Sequence, residues 1–410
     1  MRIKGIRRYP QTVKSVTPSK HMYGADVTWS AHTDTFRPVV EGHGVDAEIN
    51  AFKYNLHLTM LLNPQTDDVY SNQIKDTLKT GRMDAGIYFR ANEALQAQIE
   101  FFESLTGKSA SYWSYANGLR DHDNFVMDNS LVSRNSAGGS VDYDFDTRLG
   151  QRVATAFNYD VRDNDMSYAL SNAKNMLNQA ITNSGWFNDF SHWHWAEFYG
   201  DKNQFEQFFA SQRTILNTVN SVSLGSGEAV EYMWLRKQFK RGGLYQDRND
   251  LILICDVWNE ADLPYKTIDT TLSVEVDLTG TTLEGKDIKV TYGVIKNGNN
   301  KFIVQVPYSK KDGFSSVRLI ATTTPDYTNL SPPTIVSSTN SGSVINITTD
   351  KPTNAVLFSV PVGGELYLAE VEGRSNSMSE NHEIRIKKSG RDYYVGAITK
   401  EKQSILSGKL

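Results

Sequence analysis

The sequence predicts an α/β domain of sheet or barrel type, followed by all-β sandwich modules. Two observations carry this. Up to about residue 260, short apolar strand patterns alternate with segments of helical periodicity, the order of a sheet covered by helices. After Pro264 the helical period stops and apolar residues alternate singly with polar ones. The expected division is 1–263 for the α/β domain, 264–328 for a first β module and 329–410 for a second.

In chain order, GADVTW (24–29) and NLHLTMLL (55–62) read as buried strands, and NQIKDTLK (72–79) as a short helix. A longer helix starts behind Asn92, a residue type that caps N-termini. It sets Leu95, Ile99 and Phe102 on one face and ends at Gly107. MSYALSNAKNMLNQAIT repeats Ala169, Ala173, Met176, Leu177, Ala180 and Ile181 at helical spacing, behind Asp163 and Asp165, whose charge favours a helix start. NQFEQFFASQRTIL (203–216) and EAVEYMWLRKQFK (228–240) supply two more helices. Beyond them TLSVEVDLTG, DIKVTYGVIKNGNNKFIVQVPY and SVRLIATTT alternate as strands, with KNGNNK as a turn. PDYTNLSPPT (325–334) reads as a linker. SVINITT, AVLFSV, ELYLAEV, EIRIKK and DYYVGAI read as the short strands of the last module.

Composition narrows the function classes. A net charge of −4 with no long basic tract excludes a surface that tracks a phosphate backbone. No stretch reaches the roughly 18 apolar residues that span a bilayer. Arg2, Lys4, Arg7 and Arg8 are not followed by an apolar run, so no secretory signal peptide is expected. The single cysteine, Cys255, excludes an internal disulfide framework and reads, inside LILIC, as a buried small hydrophobe. There is no P-loop, dinucleotide fingerprint or G-x-S-x-G elbow.

The residues suited to chemistry lie early. Seven of eight histidines precede residue 200, and all seven tryptophans lie at or before Trp258. On a strand, residues i and i+2 share a face. If 190–195 is a strand, His192 and His194 point one way while Trp193 and Trp195 point the other; His32 and Asp34 obey the same arithmetic. Asp121 and Asp123 flank His122, either as an acid–base pair at a loop tip or as a solvated acidic turn. Asp142, Asp144 and Asp146 are spaced like the start of a calcium loop, without its glycine and late glutamate. Tyr112, Trp113, Tyr115, Trp193 and Trp195 can either stack on sugar rings or fill an aromatic core.

Over roughly residues 20–260 the order of these segments resembles the polysaccharide deacetylase (NodB-homology) family. GADVTWSAHTDTF stands at its first strand, where the family carries paired aspartates, and NLHLTMLLNP at its second. LKTGRMDAGIYFRANEALQAQIEFFESLTGKSASYWSYANG follows in order and spacing, and NDFSHWHW stands near the late motif ending in histidine. The resemblance implies a deacetylase-like (β/α) barrel and a hydrolase that splits acetyl groups from carbohydrate with a metal-bound water. It also exposes departures. The family's H-x-x-x-H ligands would fall near Ile87 and Ala91, and only Asp34 remains of the acids around SAHTD. A displaced metal site from His32, Asp34, His192 and His194 would suit Zn²⁺ or another divalent ion. Asp34, Asp121 and His122 are then the catalytic candidates.

The expectation drawn from all this is a carbohydrate-directed protein whose deacetylase-like domain has lost the family's chemistry. It would bind or process a polysaccharide or cell-surface glycan as a bacteriophage tail or baseplate component, beside other virion proteins or copies of itself. An active deacetylase or esterase with relocated ligands, and a purely structural virion protein, are the alternatives.

Overall fold

The alternating strand and helix patterns form a parallel sheet in the computed structural model, which describes residues 12–34, 43–90, 94–115, 132–135, 151–152, 166–190, 203–256, 270–308 and 315–410, with 125, 126 and 129. The chain divides into two compact units, each assembled from separate stretches. One comprises Met1–Asp26 and Glu231–Asn329, the other Val27–Val230 and Leu330–Leu410. This differs from the expected three consecutive domains. The stretch after Pro264 is shared between the units, and residues 330–410 belong to the unit that holds the parallel sheet.

The first unit opens with β1 (Thr12–Ser15) and β2 (Thr17–Pro18). The second then runs through β3 (Val27–Asp34), α1 (His43–Tyr54), β4 (Leu58–Leu62), the short α2 (Pro64–Asp67), α3 (Ser71–Thr80), β5 (Met83–Phe89), α4 (Leu95–Thr106) and β6 (Tyr112–Tyr115). It continues with β7 (Val132–Asn135), β8 (Gln151–Arg152), α5 (Met166–Thr182), β9 (Trp186–Phe190), α6 (Asn203–Leu216), β10 (Ser221–Ser223) and the start of α7 (Ser226–Gln238). Strands β3 to β8 pair in sequence order, every pair parallel. Both β9 and β10 then return to pair with β3, which curls the sheet back on its first strand.

Alternation decides which face each side chain takes. Trp29 and Ala31 of β3, Leu58, Met60 and Leu62 of β4, Met83, Ala85, Ile87 and Phe89 of β5, and Phe187 of β9 join one apolar core. The same core takes Phe102 of α4, Ala169, Ala173, Leu177 and Ala180 of α5, and Phe208 and Phe209 of α6. The helical spacing read in 166–182 is therefore a buried face. Helix α4 ends as expected: Gly107 takes the left-handed conformation at φ 71°, and its N–H donates to the Glu103 carbonyl at 2.8 Å. Its N-terminal flank is Ala94 instead, and Asn92 lies outside the described residues.

In the first unit β11 (Arg241–Asp247), β12 (Asp250–Asp256), β13 (Leu272–Asp277), β14 (Ile288–Lys289), β15 (Val294–Lys296), β16 (Lys301–Val306) and β17 (Ser315–Ala321) build two sheets, ordered β1-β11-β12-β17-β14 and β15-β16-β13-β2, in which every pairing is antiparallel. KNGNNK is the turn between β15 and β16, closed by the Asn297 N–H on the Lys301 carbonyl at 2.8 Å. Cys255 is buried in β12, and burial pushes its thiol up to about 12, so it is a core residue and not a nucleophile.

The C-terminal stretch forms β18 (Ile335–Asn340), β19 (Val344–Val360), β20 (Glu370–Arg374), β21 (Ser379–Arg385), β22 (Asp392–Ile398) and β23 (Ser404–Leu406). SVINITT and AVLFSV, read as two strands, are one continuous 17-residue strand, β19, on which β18, β20, β21 and β22 all pair. This module packs on α1. Val45, Ile49 and Phe52 share a core with Val356, Phe358, Val360 and Ile398. Gly396 is required there, since a Cβ would stand 2.6 Å from the Phe52 ring. Beside that core Arg374 grips the buried Glu48 with both terminal nitrogens, Nη2 donating to Oε2 at 2.7 Å and to Thr77 Oγ1 at 3.1 Å.

Removing one partner of such a buried pair strands the other charge, at a cost of about 3–5 kcal/mol. Glu48→Ala is expected to lower unfolding stability by that amount in denaturant titrations. The double variant Glu48→Leu/Arg374→Met is expected to recover most of it. Lys388→Ala, which breaks an exposed pair with Glu370, should change stability by only about 0.5 kcal/mol.

Candidate inner-face site

Residues of β3, β6 and β9 that do not face the helices meet on the inner face of the curled sheet. Asn188 is their hub. Its Oδ1 accepts from Ser30 Oγ at 2.9 Å and from Ser226 Oγ at 3.1 Å, while its Nδ2 donates to the Tyr112 hydroxyl at 3.2 Å. Trp186 Nε1 donates to Ser30 Oγ at 2.8 Å, and the Ser226 N–H donates to Thr59 Oγ1 at 2.7 Å. His32 Nδ1 stands 3.4 Å from Asn188 Oδ1, with its ring stacked on Phe190 at 5.4 Å and edge-on to Tyr112 at 5.2 Å. All these side chains are buried.

Chemically this is a closed network of hydroxyl, amide, indole and imidazole groups. The Ser226 hydroxyl donates to an amide oxygen, and among the described residues no base stands on it to activate it as a nucleophile. A satisfied buried network of this kind fixes strand positions. One carboxylate borders it: the chain entering α7 runs so close to Asp84 that Cβ atoms on Gly225 and Gly227 would fall 2.5 and 2.9 Å from it. Neither Asn188 nor Asp84 stood out in the sequence. The G-S-G spacing at 225–227 was the available signal.

A second cluster lies at the start of β4 and β5. His57 Nδ1 stands 3.5 Å from Glu228 Oε2 of α7. Burial holds the imidazole down to about 4, with Lys402 and Arg82 adding to the effect against the pull of Glu228. For Glu228, burial pushes the carboxyl up, but His57, Lys402 and Lys108 outweigh it and hold it at about 2. Arg82, fully buried, is lowered to about 9, first by burial and then by the Arg213 guanidinium.

Of the sequence candidates, His32 does reach the inner face. Asp34 is the last residue of β3. Asp121, His122, His192, Trp193, His194 and Trp195 lie outside the described residues, as do Asp142, Asp144 and Asp146. Tyr112, Trp113 and Tyr115 are each no more than 2% exposed. Trp113 and Tyr115 pack on Phe89 at 5.5 and 5.6 Å within the apolar core, so neither offers a ring face to a sugar as they stand. Ile87, near where the resembled family places its first histidine, is also core. Among the described residues no group of three or more His, Cys, Asp or Glu is placed to hold a metal ion.

No known family model and no curated protein matches the sequence. Solved structures match it in part. A polysaccharide deacetylase-type protein from Mycobacterium smegmatis is 13% identical, with 55% of this chain and 96% of that one covered at a TM-score of 0.42. A peptidoglycan deacetylase from Bacillus subtilis is 11% identical over 50% of this chain and 91% of its own, at 0.34. A mutant of a family 4 (CE4) pseudoenzyme with restored enzymatic activity is 10% identical over 50% and 68%, at 0.31. Each of these matches covers about half of this chain at low identity. No helix among the described residues is long and apolar enough to cross a membrane.

The parallel-sheet unit gives two expected outcomes. Asn188→Ala is expected to cost about 2–4 kcal/mol in chemical denaturation, because several buried partners lose their bond at once. His57, held at about 4 against an ordinary 6.5, stays unprotonated in the fold while the unfolded chain takes up a proton. Stability should therefore fall as pH drops from about 6.5 to 4, by up to about 3 kcal/mol. Denaturant melts across that range should show a shallower fall for His57→Asn.

Proposed function

We propose that this chain is a carbohydrate-directed protein whose deacetylase-like domain binds a polysaccharide or cell-surface glycan without N-deacetylating it. One observation carries the reading: the network of Ser30, Asn188, Tyr112, Trp186 and Ser226 fills the inner face beside the end of β3, around the SAHTD stretch where the resembled family carries paired aspartates. Hydroxyls and amides locked to one another neither gather a metal nor activate water. The aromatic residues Trp193, Trp195 and Tyr199 of the stretch that follows β9 support a sugar as the ligand, since ring faces bury the apolar side of a pyranose. With Tyr112, Trp113 and Tyr115 enclosed, Trp193 and Trp195 are the residues we assign to the platform. A bacteriophage tail or baseplate, with other virion proteins as neighbours, is the setting this reading favours. The β-rich remainder of the chain supports it, as modules of this type space and assemble more often than they catalyse.

The position of His32 on the inner face keeps a second reading in play, a deacetylase or esterase using His32, Asp34, His192 and His194 around Zn²⁺. Binding to an array of bacterial surface glycans, together with acetate release from acetylated chitooligosaccharide and peptidoglycan, separates them. We expect glycan binding without acetate release. Trp193→Ala and Trp195→Ala should each weaken it about 3- to 10-fold, the effect of roughly 0.5–1.5 kcal/mol per aromatic contact. Acetate release with stoichiometric zinc in untagged protein would sink the binding-only reading.

A further inference from the structure

The cluster at the start of β4 and β5 gathers more positive charge than its protein groups balance. Leu58 and Met83 pair across these strands, which sets the preceding residues, His57 and Arg82, side by side. Arg82 is 0% exposed, and one end of its guanidinium is fully used: Nη1 donates to the Lys402 carbonyl at 2.9 Å and to Ser404 Oγ at 2.6 Å. Its other edge is sealed from solvent, and neither Nε nor Nη2 has a hydrogen-bond partner among the described residues. Of buried His57, Nδ1 faces Glu228 Oε2 at 3.5 Å, and Nε2 has no hydrogen-bond partner among the described residues.

The neighbouring charges do not answer this edge. Arg213 donates to the Tyr54 carbonyl at 2.7 Å and to the Asn55 carbonyl, and its charge repels Arg82. Lys402 Nζ donates to the Gly81 carbonyl at 3.3 Å. The carboxylate in electrostatic reach is Glu228; its Oε2 lies 3.5 Å from His57 Nδ1, is itself buried without a closer hydrogen-bond partner, and forms no ion pair with Arg82 among the described residues. A buried ammonium can shed its proton to escape such a place, but a guanidinium cannot. Its charge must be met by an acceptor.

We propose that the Nε–Nη2 edge of Arg82, with the His57 ring beside it, holds a small inorganic anion of halide size. The full enclosure of Arg82 sets the size, because an ion admitted there must shed its hydration and accept from two parallel N–H groups. The anion supplies the missing counter-charge and, through Arg82, ties residues 402–404 to the start of β5.

Bromide is the probe. Crystals of the full chain soaked in sodium bromide are expected to give an anomalous peak in contact with Arg82 Nε and Nη2. A water without anomalous signal at that place overturns the proposal. In solution, replacing acetate by bromide at constant ionic strength should raise the thermal midpoint by about 2–4 °C, and Arg82→Met should abolish the rise. An equal rise in the variant, or none in the native protein, also overturns it. If Arg82→Met does not fold, His57→Asn replaces it in the comparison and is expected to lose at least half of the rise; a full rise retained in that variant counts against the site.

Discussion

Asn188 holds three distant parts of the chain at one point. Through its two side-chain atoms it joins Ser30 of the first strand, Tyr112 of the fourth in the row and Ser226 at the start of the following helix. Curling of the parallel sheet depends on strands separated by more than 150 residues meeting β3 in register. A polar hub that is satisfied only when all of them arrive gives that closure a specificity which apolar contact does not supply. His32 stands 3.4 Å from its Oδ1, and the Ser226 it holds lies between the two glycines that pass Asp84.

Much of the architecture was legible because it follows from periodicity. Ala169, Ala173, Leu177 and Ala180 sit four or three apart, and the helix they imply ends at Thr182, just past the pattern's last member, Ile181. Gly107 ended its helix because only a residue at ease at positive φ could do so. What escaped was decided by partners far off in sequence. SVINITT and AVLFSV looked like two strands across K-P-T-N, but pairing on both edges carries β19 straight through. The division into units escaped for the same reason, since no local signal says that residues 330–410 pack on α1 or that 231–256 joins the chain's opening strands.

The candidate site was legible in one respect and opaque in another. His32 was singled out by its place at a strand end, and it lies on the inner face. Asn188 and Ser226, a neutral amide and a hydroxyl, carry no chemical flag in a sequence. Their role exists only once β9 and α7 converge. The aromatic residues 112–115 show the reverse. They are a conspicuous cluster in the sequence, yet alternation on β6 sends Trp113 and Tyr115 outward into the helix layer, where they bury area instead of displaying it.

The seam between α1 and the C-terminal strands has a bearing on how this molecule can be divided. The stretch 325–334 looks like an ordinary hinge between independent pieces, and a cut there would be the natural choice for isolating the α/β half. Such a fragment would carry Val45, Ile49 and Phe52 into water together with an unmatched Glu48, and would deprive Arg82 of the Lys402 carbonyl and Ser404 hydroxyl. The last eighty residues are thus an outer wall of the parallel-sheet unit. Any evolutionary exchange of that module has to bring along a matching face for α1.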